Sequence, residues 1–488
     1  MEAKSYVTGG RYHETYRNQF HFSPLRNWMN DPNGLVYYHG EYHLFYQYTP
    51  NSVYNGGKTW GHAVSSDLLH WQELNIALYN DENGDIFSGS CVIDEHNTSG
   101  LFTGKKGGLV AIYTVADGPI QQQAIAYSSD DGRTWTKFNN GQPVITIDDD
   151  PTNDREFRDP KVYRAKDDSC WIMVVAGGPL RIYSSENLID WKIESVYNDT
   201  QKIGYQLEVK KNLESDPYVM YKIYTECPDI YRLEVDQSGE YRWIFSGCGV
   251  FYIIGDLKKL DGHWYFVPDD MSEQPLGFGP DAYAAQTFFH TGNRVIMMNW
   301  MSNWRYANQI PKWTKTFNGS MTFPTELSLH NTSSGIRLCQ KPVREIKSLY
   351  TEQKAHYEGG SGKNLLNGFT AEMYRLDIEI KQTKDAELTV SMFSGDVELK
   401  YGGKKGKLLV DRRKTGLGGG YIVDVTPDDD IFRLTVLVDI ASVEVYADYG
   451  IQTGSFAIFG SQNRQLNITY RGTGKITVDA VALESIWK

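Results

Sequence analysis

The chain predicts an all-β protein, with a β-propeller over residues 12–330 and a β-sandwich over residues 363–488. Three observations lead there. Short alternating apolar runs bounded by Gly, Asp, Asn or Pro fill the sequence, a unit built on a Ser-Ser-acid turn and a tryptophan recurs, and continuous helical periodicity is scarce.

The recurring unit appears as "WGHAVSSDLLHWQEL" (60–74), "IAYSSDDGRTWTKF" (125–138) and "RIYSSENLIDWKIE" (181–194). Its tryptophans, Trp71, Trp135 and Trp191, lie roughly 55–65 residues apart, the length of one four-stranded blade plus loops. The unit reads as structural: its polar side chains cap a hairpin turn and its Trp fills the gap between blades. Runs such as "EYHLFYQY" (41–48), "GLVAIYTV" (108–115) and "SCWIMVVAG" (169–177) supply the remaining strands. Beyond Thr325 the texture becomes polar, and residues 331–362 read as a linker with a short helix and a Gly/Ser loop. After it, "AEMYRLDIEIKQ", "AELTVSMF", "FRLTVLVDIASVEVYA" and "KITVDAVALESIW" follow at sandwich-like spacing.

At 488 residues the chain exceeds the size of a single growing core, which requires at least two domains. Hydrophobic residues at 40% and charged residues at 23% are ordinary for a globular protein. No apolar run approaches the roughly 18 residues that span a bilayer. A net charge of −12 without a basic stripe repels phosphate backbones, so nucleic acid is not an expected partner. Cys91, Cys170, Cys227, Cys248 and Cys339 form no CxxC pair, and their odd number leaves at least one free thiol. The 11 histidines are scattered, with no metal-ligand spacing.

HExxH and GxSxG motifs and a complete phosphate loop are absent, and "GGSGKN" (359–364) reads as a flexible turn. What remains is acidic. Asp31 lies in "WMNDPNG" (28–34), Asp159 in "EFRDPK" (156–161) and Glu226 in "YTECPD" (224–229), each followed by a proline where a strand leaves its sheet. A propeller gathers such inner-strand ends at one axial funnel. Retaining cleavage of a glycosidic bond needs two carboxyl groups about 5–5.5 Å apart, one attacking the anomeric carbon and one protonating the leaving oxygen. The amides of Asn30 and Asn33 are placed to donate to Asp31 and hold it as an anion. Tyr224, Cys227 and Pro228 give Glu226 a drier setting that keeps it an acid. Arg158 beside Asp159 suggests a third acid held ionised, suited to binding sugar hydroxyls and a developing oxocarbenium charge.

At these residues the sequence resembles glycoside hydrolase family 32, the invertase, inulinase and levanase group. "WMNDPNG" is similar to its nucleophile motif, "FRDPK" to its stabiliser motif and "ECP" to its acid/base motif, in that order; "HLFYQY", "FSGS" (87–90) and "WMSNW" (300–304) also match. The resemblance implies a five-bladed propeller joined to a sandwich, with no metal or cofactor. It makes Asp31 the nucleophile, Asp159 the transition-state stabiliser and Glu226 the general acid/base. Asn30, Asn33, Gln47, Phe87, Ser88, Arg158 and Trp304 are expected to line the fructosyl subsite. Tyr54 stands where relatives often carry a Trp, while Trp28 is read as packing behind the turn. Phe317-Asn318 and Pro324-Thr325 replace Trp-Arg and Pro-Arg pairs, so leaving-group recognition is where this chain should differ.

The expected activity is release of β-linked fructose from fructans or sucrose. A fructosyltransferase of the same fold and a non-enzymatic fructan-binding protein are the competing readings. Five Asn-x-Ser/Thr sequons, at Asn97, Asn198, Asn318, Asn331 and Asn467, accompany an expectation of secretion with the signal peptide already removed, the alternative being a cytoplasmic protein. Linkage preference, endo or exo attack and oligomeric state are not encoded in any readable pattern.

Overall fold

A computed structural model of the chain describes residues 12–104, 106–152, 154–165, 169–177, 180–197, 226–270, 273–461 and 463–487. Five sheets surround one axis, and their inner strands are Asn27–Tyr38, Asp85–Asp94, Arg158–Arg164, Asp229–Glu234 and Tyr283–Thr287. Successive inner strands touch, and the fifth returns to the first through a parallel bridge between Val36 and Phe289. Phe317–Asn318 also pairs in parallel with Asn27–Tyr38.

Sequence pattern explains how the blades stack. In Gly108–Asp117, Leu109, Ala111 and Tyr113 join the apolar cluster toward the first blade, whereas Val110 and Ile112 join the cluster toward the third. Both faces of a blade are buried, so its strand reads as a continuous apolar run even though residues alternate sides. The tryptophan units behave as expected. Trp71, Trp135 and Trp191 each donate their indole N–H to the carbonyl three residues back, at 2.9, 3.0 and 2.9 Å, and each packs into a cluster between blades. Ser65, Ser128 and Ser185 cap the same turns.

The expected linker is replaced by structure. Gly335–Pro342 is the outer strand of the fifth blade, pairing along its length with Thr325–Thr332, so the propeller continues past residue 330. Tyr350–Gly359 is an edge strand of the sandwich, and Arg344–Leu349 between them is a 3-10 helix. This edge strand turns only Tyr350, Ala355 and Tyr357 toward packed clusters, and its remaining residues, mostly polar, give it the composition of a linker. The sandwich has two six-stranded sheets, and in Tyr374–Lys381 every second residue from Tyr374 enters the core. None of the described helices is long and apolar enough to cross a membrane. Asn318 is fully buried, which removes its sequon from consideration, and Asn198 lies outside the described residues.

Buried charges join the two units. Arg412 of the sandwich pairs with Asp281, two residues before Tyr283, at 2.7 Å. His21, leading into the first blade, lies 2.7 Å from Asp439 and 3.1 Å from Glu444, both in the sandwich. Burial alone would push this imidazole down, but hydrogen bonds to the two carboxylates reverse the direction and raise it to about 9. A raised histidine gives stability that is complete below its unfolded value near pH 6.5 and is lost as pH rises through about 9. We predict a fall on the order of 3 kcal/mol across that window. Thermal melts at pH 6 and pH 10 test this; an equal or higher melting temperature at pH 10 contradicts it.

Candidate active site

Bulges in the inner strands shape the site. Between Met29 and Pro32 the pairing with the neighbouring strand gains one residue, so Asn30 and Asp31 turn out of the regular ladder. The same irregularity falls at Phe87–Ser88, Asp159–Pro160 and Ala284–Ala285. A bulge leaves a residue unpaired and re-aims its side chain, and it accommodates the proline that a regular central strand excludes. Asp159 itself has φ 63°. Gly34, at φ 53°, closes the first bulged segment, where a Cβ would come within 2.6 Å of the Phe45 ring.

These bulged ends surround a cavity of about 310 Å³ lined by Asp31, Asp159 and Glu226 together. Asn30, Gln47, Phe87, Ser88, Arg158 and Trp304 line it as expected. A larger cavity of about 680 Å³ opens at the opposite ends of the inner strands, among Asp94, Tyr163, Arg232 and Phe289, and contains none of the three acids. Chemistry, not size, identifies the site.

Asp31 Oδ1 accepts from Asn30 Nδ2 at 2.9 Å, and Oδ2 accepts from Ser88 Oγ at 2.8 Å and lies 3.6 Å from Cys227 Sγ. Asn33 does not join them. In the amide orientation that satisfies both its ends, it accepts from Gln47 Nε2 at 3.0 Å and donates to Ser88 Oγ at 3.2 Å, supporting the groups around Asp31. Burial raises the Asp31 carboxyl above its usual range, opposed by Asn30, the Lys58 charge and Ser88. The expectation of a simply stabilised anion is therefore corrected: desolvation outweighs the donors.

Asp159 receives the Cys227 amide at 2.9 Å, and its own amide donates to Thr114 Oγ1 at 2.9 Å. Arg158 Nε is 3.8 Å from its carboxylate. Burial pushes Asp159 up to about 7, with Glu226 and Asp31 adding to the rise and Arg158 opposing it, so Arg158 does not hold it low as the sequence suggested. Glu226 accepts from Arg158 Nη2 at 2.6 Å and from the Tyr283 hydroxyl. Its side chain is 27% exposed, a wetter and more polar setting than expected; Tyr224 lies outside the described residues.

Tyr54 is 51% exposed and does not line the cavity. Asn55 and Lys58 of the same loop do, on either side of Gly56 and Gly57, whose φ values are 152° and 57°. Gln121, Glu156, Cys227 and Tyr283 also line it without having been singled out as contacts. "DAYAA" (281–285) carried no signal beyond ordinary strand composition. Trp28 is fully buried and does more than pack, since its Nε1 donates to Asn30 Oδ1 at 2.7 Å. Phe317 lies under the Arg17 guanidinium at 3.5 Å, and Asn318 ties Val53 and Ala307 together by their carbonyls, so neither faces the cavity.

The patterns of the glycosyl hydrolases family 32 N-terminal domain and C-terminal domain match residues 21–342 and 345–487. The chain belongs to glycosyl hydrolase family 32. Among family 32 relatives, a levanase from Bacillus subtilis is 36% identical over 98% of this chain and 71% of its own length. A fructan beta-fructosidase from Streptococcus mutans is 36% identical over 98% of this chain but only 34% of its own length, so the chain spans about a third of that relative. The exo-inulinase structure from Aspergillus awamori superposes with a TM-score of 0.82 at 29% identity, covering 98% of this chain and 100% of that one. A fructofuranosidase from Schwanniomyces occidentalis complexed with fructose gives 0.81 at 27% identity, over 98% and 100% of the two chains. These family 32 neighbours share the propeller-and-sandwich architecture described above.

Proposed function

We propose that this protein releases β-linked fructose from fructans and sucrose by a retaining mechanism. The observation that carries the reading is the convergence of Asp31, Asp159 and Glu226, from three separate strand ends, on one cavity of about 310 Å³, within the range of small-ligand pockets. Asp31 attacks the anomeric carbon and Glu226 protonates the departing oxygen; a fructosyl ester on Asp31 results. Glu226 then takes a proton from water, whose oxygen displaces Asp31. Asp159, in the same cavity, accepts hydrogen bonds from ring hydroxyls and stabilises the oxocarbenium-like charge.

Arg158 and Tyr283 fix the Glu226 carboxyl from two sides, so the acid is oriented before the sugar arrives. The relatives named levanase, exo-inulinase and fructan beta-fructosidase support a fructan substrate. The relatives named as extracellular exo-inulinases support secretion. Incubation with inulin, levan and concentrated sucrose tests the reading. Mainly free fructose is expected; kestose-type products identify a transferase, and binding without any product identifies a fructan-binding protein.

A further inference from the structure

Lys58 is a buried ammonium inside the sugar cavity, 7% exposed, on the short loop before the strand Thr59–Ser65. Its Nζ donates to Asn30 Oδ1 and sits 5.3 Å from the Trp28 ring centroid and 5.9 Å from that of Trp304. No carboxylate among the described residues pairs with it directly. A buried cation without a paired anion is costly to the fold, and burial pushes this one down to about 7 against the charges of Asp31 and Asp85.

The hydrogen bonds around Asn30 show what the cation does. Asn30 Oδ1 accepts from both Trp28 Nε1 and Lys58 Nζ, and Nδ2 is left to donate to Asp31 Oδ1. An amide with two donors on its oxygen cannot flip without placing its NH₂ against them. We propose that Lys58 is a positioning residue for the nucleophile: with Trp28 it locks Asn30 as a donor to Asp31, and it supplies the cation that keeps that carboxylate reactive. The inference rests on the reading of Asp31 as nucleophile.

Lys58→Met removes the charge at similar length, and Lys58→Arg keeps it. The other titratable groups lining the cavity with Asp31 are Asp159, Glu226, Arg158, Glu156, Cys227 and Tyr283, with Asp85 beside Lys58; all remain in both variants. For Lys58→Met, kcat on sucrose should fall about tenfold and the acid limb of the kcat/KM–pH profile should move up by about one unit. Its melting temperature should be no lower than wild type, since a buried charge has been removed. Lys58→Arg should restore the wild-type acid limb.

An acid limb that superimposes on wild type for Lys58→Met overturns the inference, whether KM changes or not. So does a loss of melting temperature that accounts for the lost rate. Trapping of the wild-type intermediate separates the two levels of argument. If an activated fructoside labels Asp31 but the limb does not move, only the role of Lys58 falls; if Asp31 is not labelled, the nucleophile assignment falls with it.

Discussion

Asp31→Ala is expected to abolish turnover of sucrose and of an activated fructoside alike, by at least about 10⁴-fold. The argument is chemical. A better leaving group removes the need for an acid, but it does not replace the atom that bonds to the anomeric carbon. The substitution empties a position where Asn30, Ser88 and Cys227 converge, so a melting curve must accompany the kinetics. Residual activity on the activated substrate in a folded variant removes the nucleophile role from Asp31.

Glu226→Gln is expected to cost roughly 10²–10⁴-fold on sucrose and distinctly less on an activated fructoside. An amide cannot deliver the proton that a glucosyl leaving group needs, whereas a leaving group of low pKa departs without it. The substituted side chain also meets Arg158 and Tyr283, both donors, with only one acceptor oxygen. That loss of orientation affects both substrates equally. The ratio of the two losses therefore reports proton transfer, and equal losses would remove the acid role from Glu226.

The sequence carried the fold because both layers are patterned by burial. Tyr374–Lys381 alternates inward and outward, and the blade strand Gly108–Asp117 is apolar on both sides. Misreadings arose where burial stops. Tyr350–Gly359 lies at a sheet edge where only Tyr350, Ala355 and Tyr357 meet packed clusters, too few apolar positions to outweigh its polar, linker-like composition. The three acids were legible because proline follows each at a strand end. The bulges that aim them were not, since a bulge is a relation between two strands and leaves no mark in either alone. Lys58 was hidden for the opposite reason: a lysine beside two glycines reads as a solvated turn, and only the closing of that loop over Trp28 and Trp304 places it inside. The environments of Asp159 and Glu226 were misjudged because their neighbours in space come from other blades.

Arg412 is held against Asp281 with no exposure of either side chain, and the chain passes from Asp281 to Tyr283 in two residues before meeting Glu226. The sandwich thus braces the acid's hydroxyl partner from behind, although it never reaches the sugar. The C-terminal domain is therefore not a freely portable module: exchanging it removes Arg412 while Asp281 stays behind, so the hydroxyl partner of Glu226 keeps this support only if the incoming domain supplies a cation at the same place.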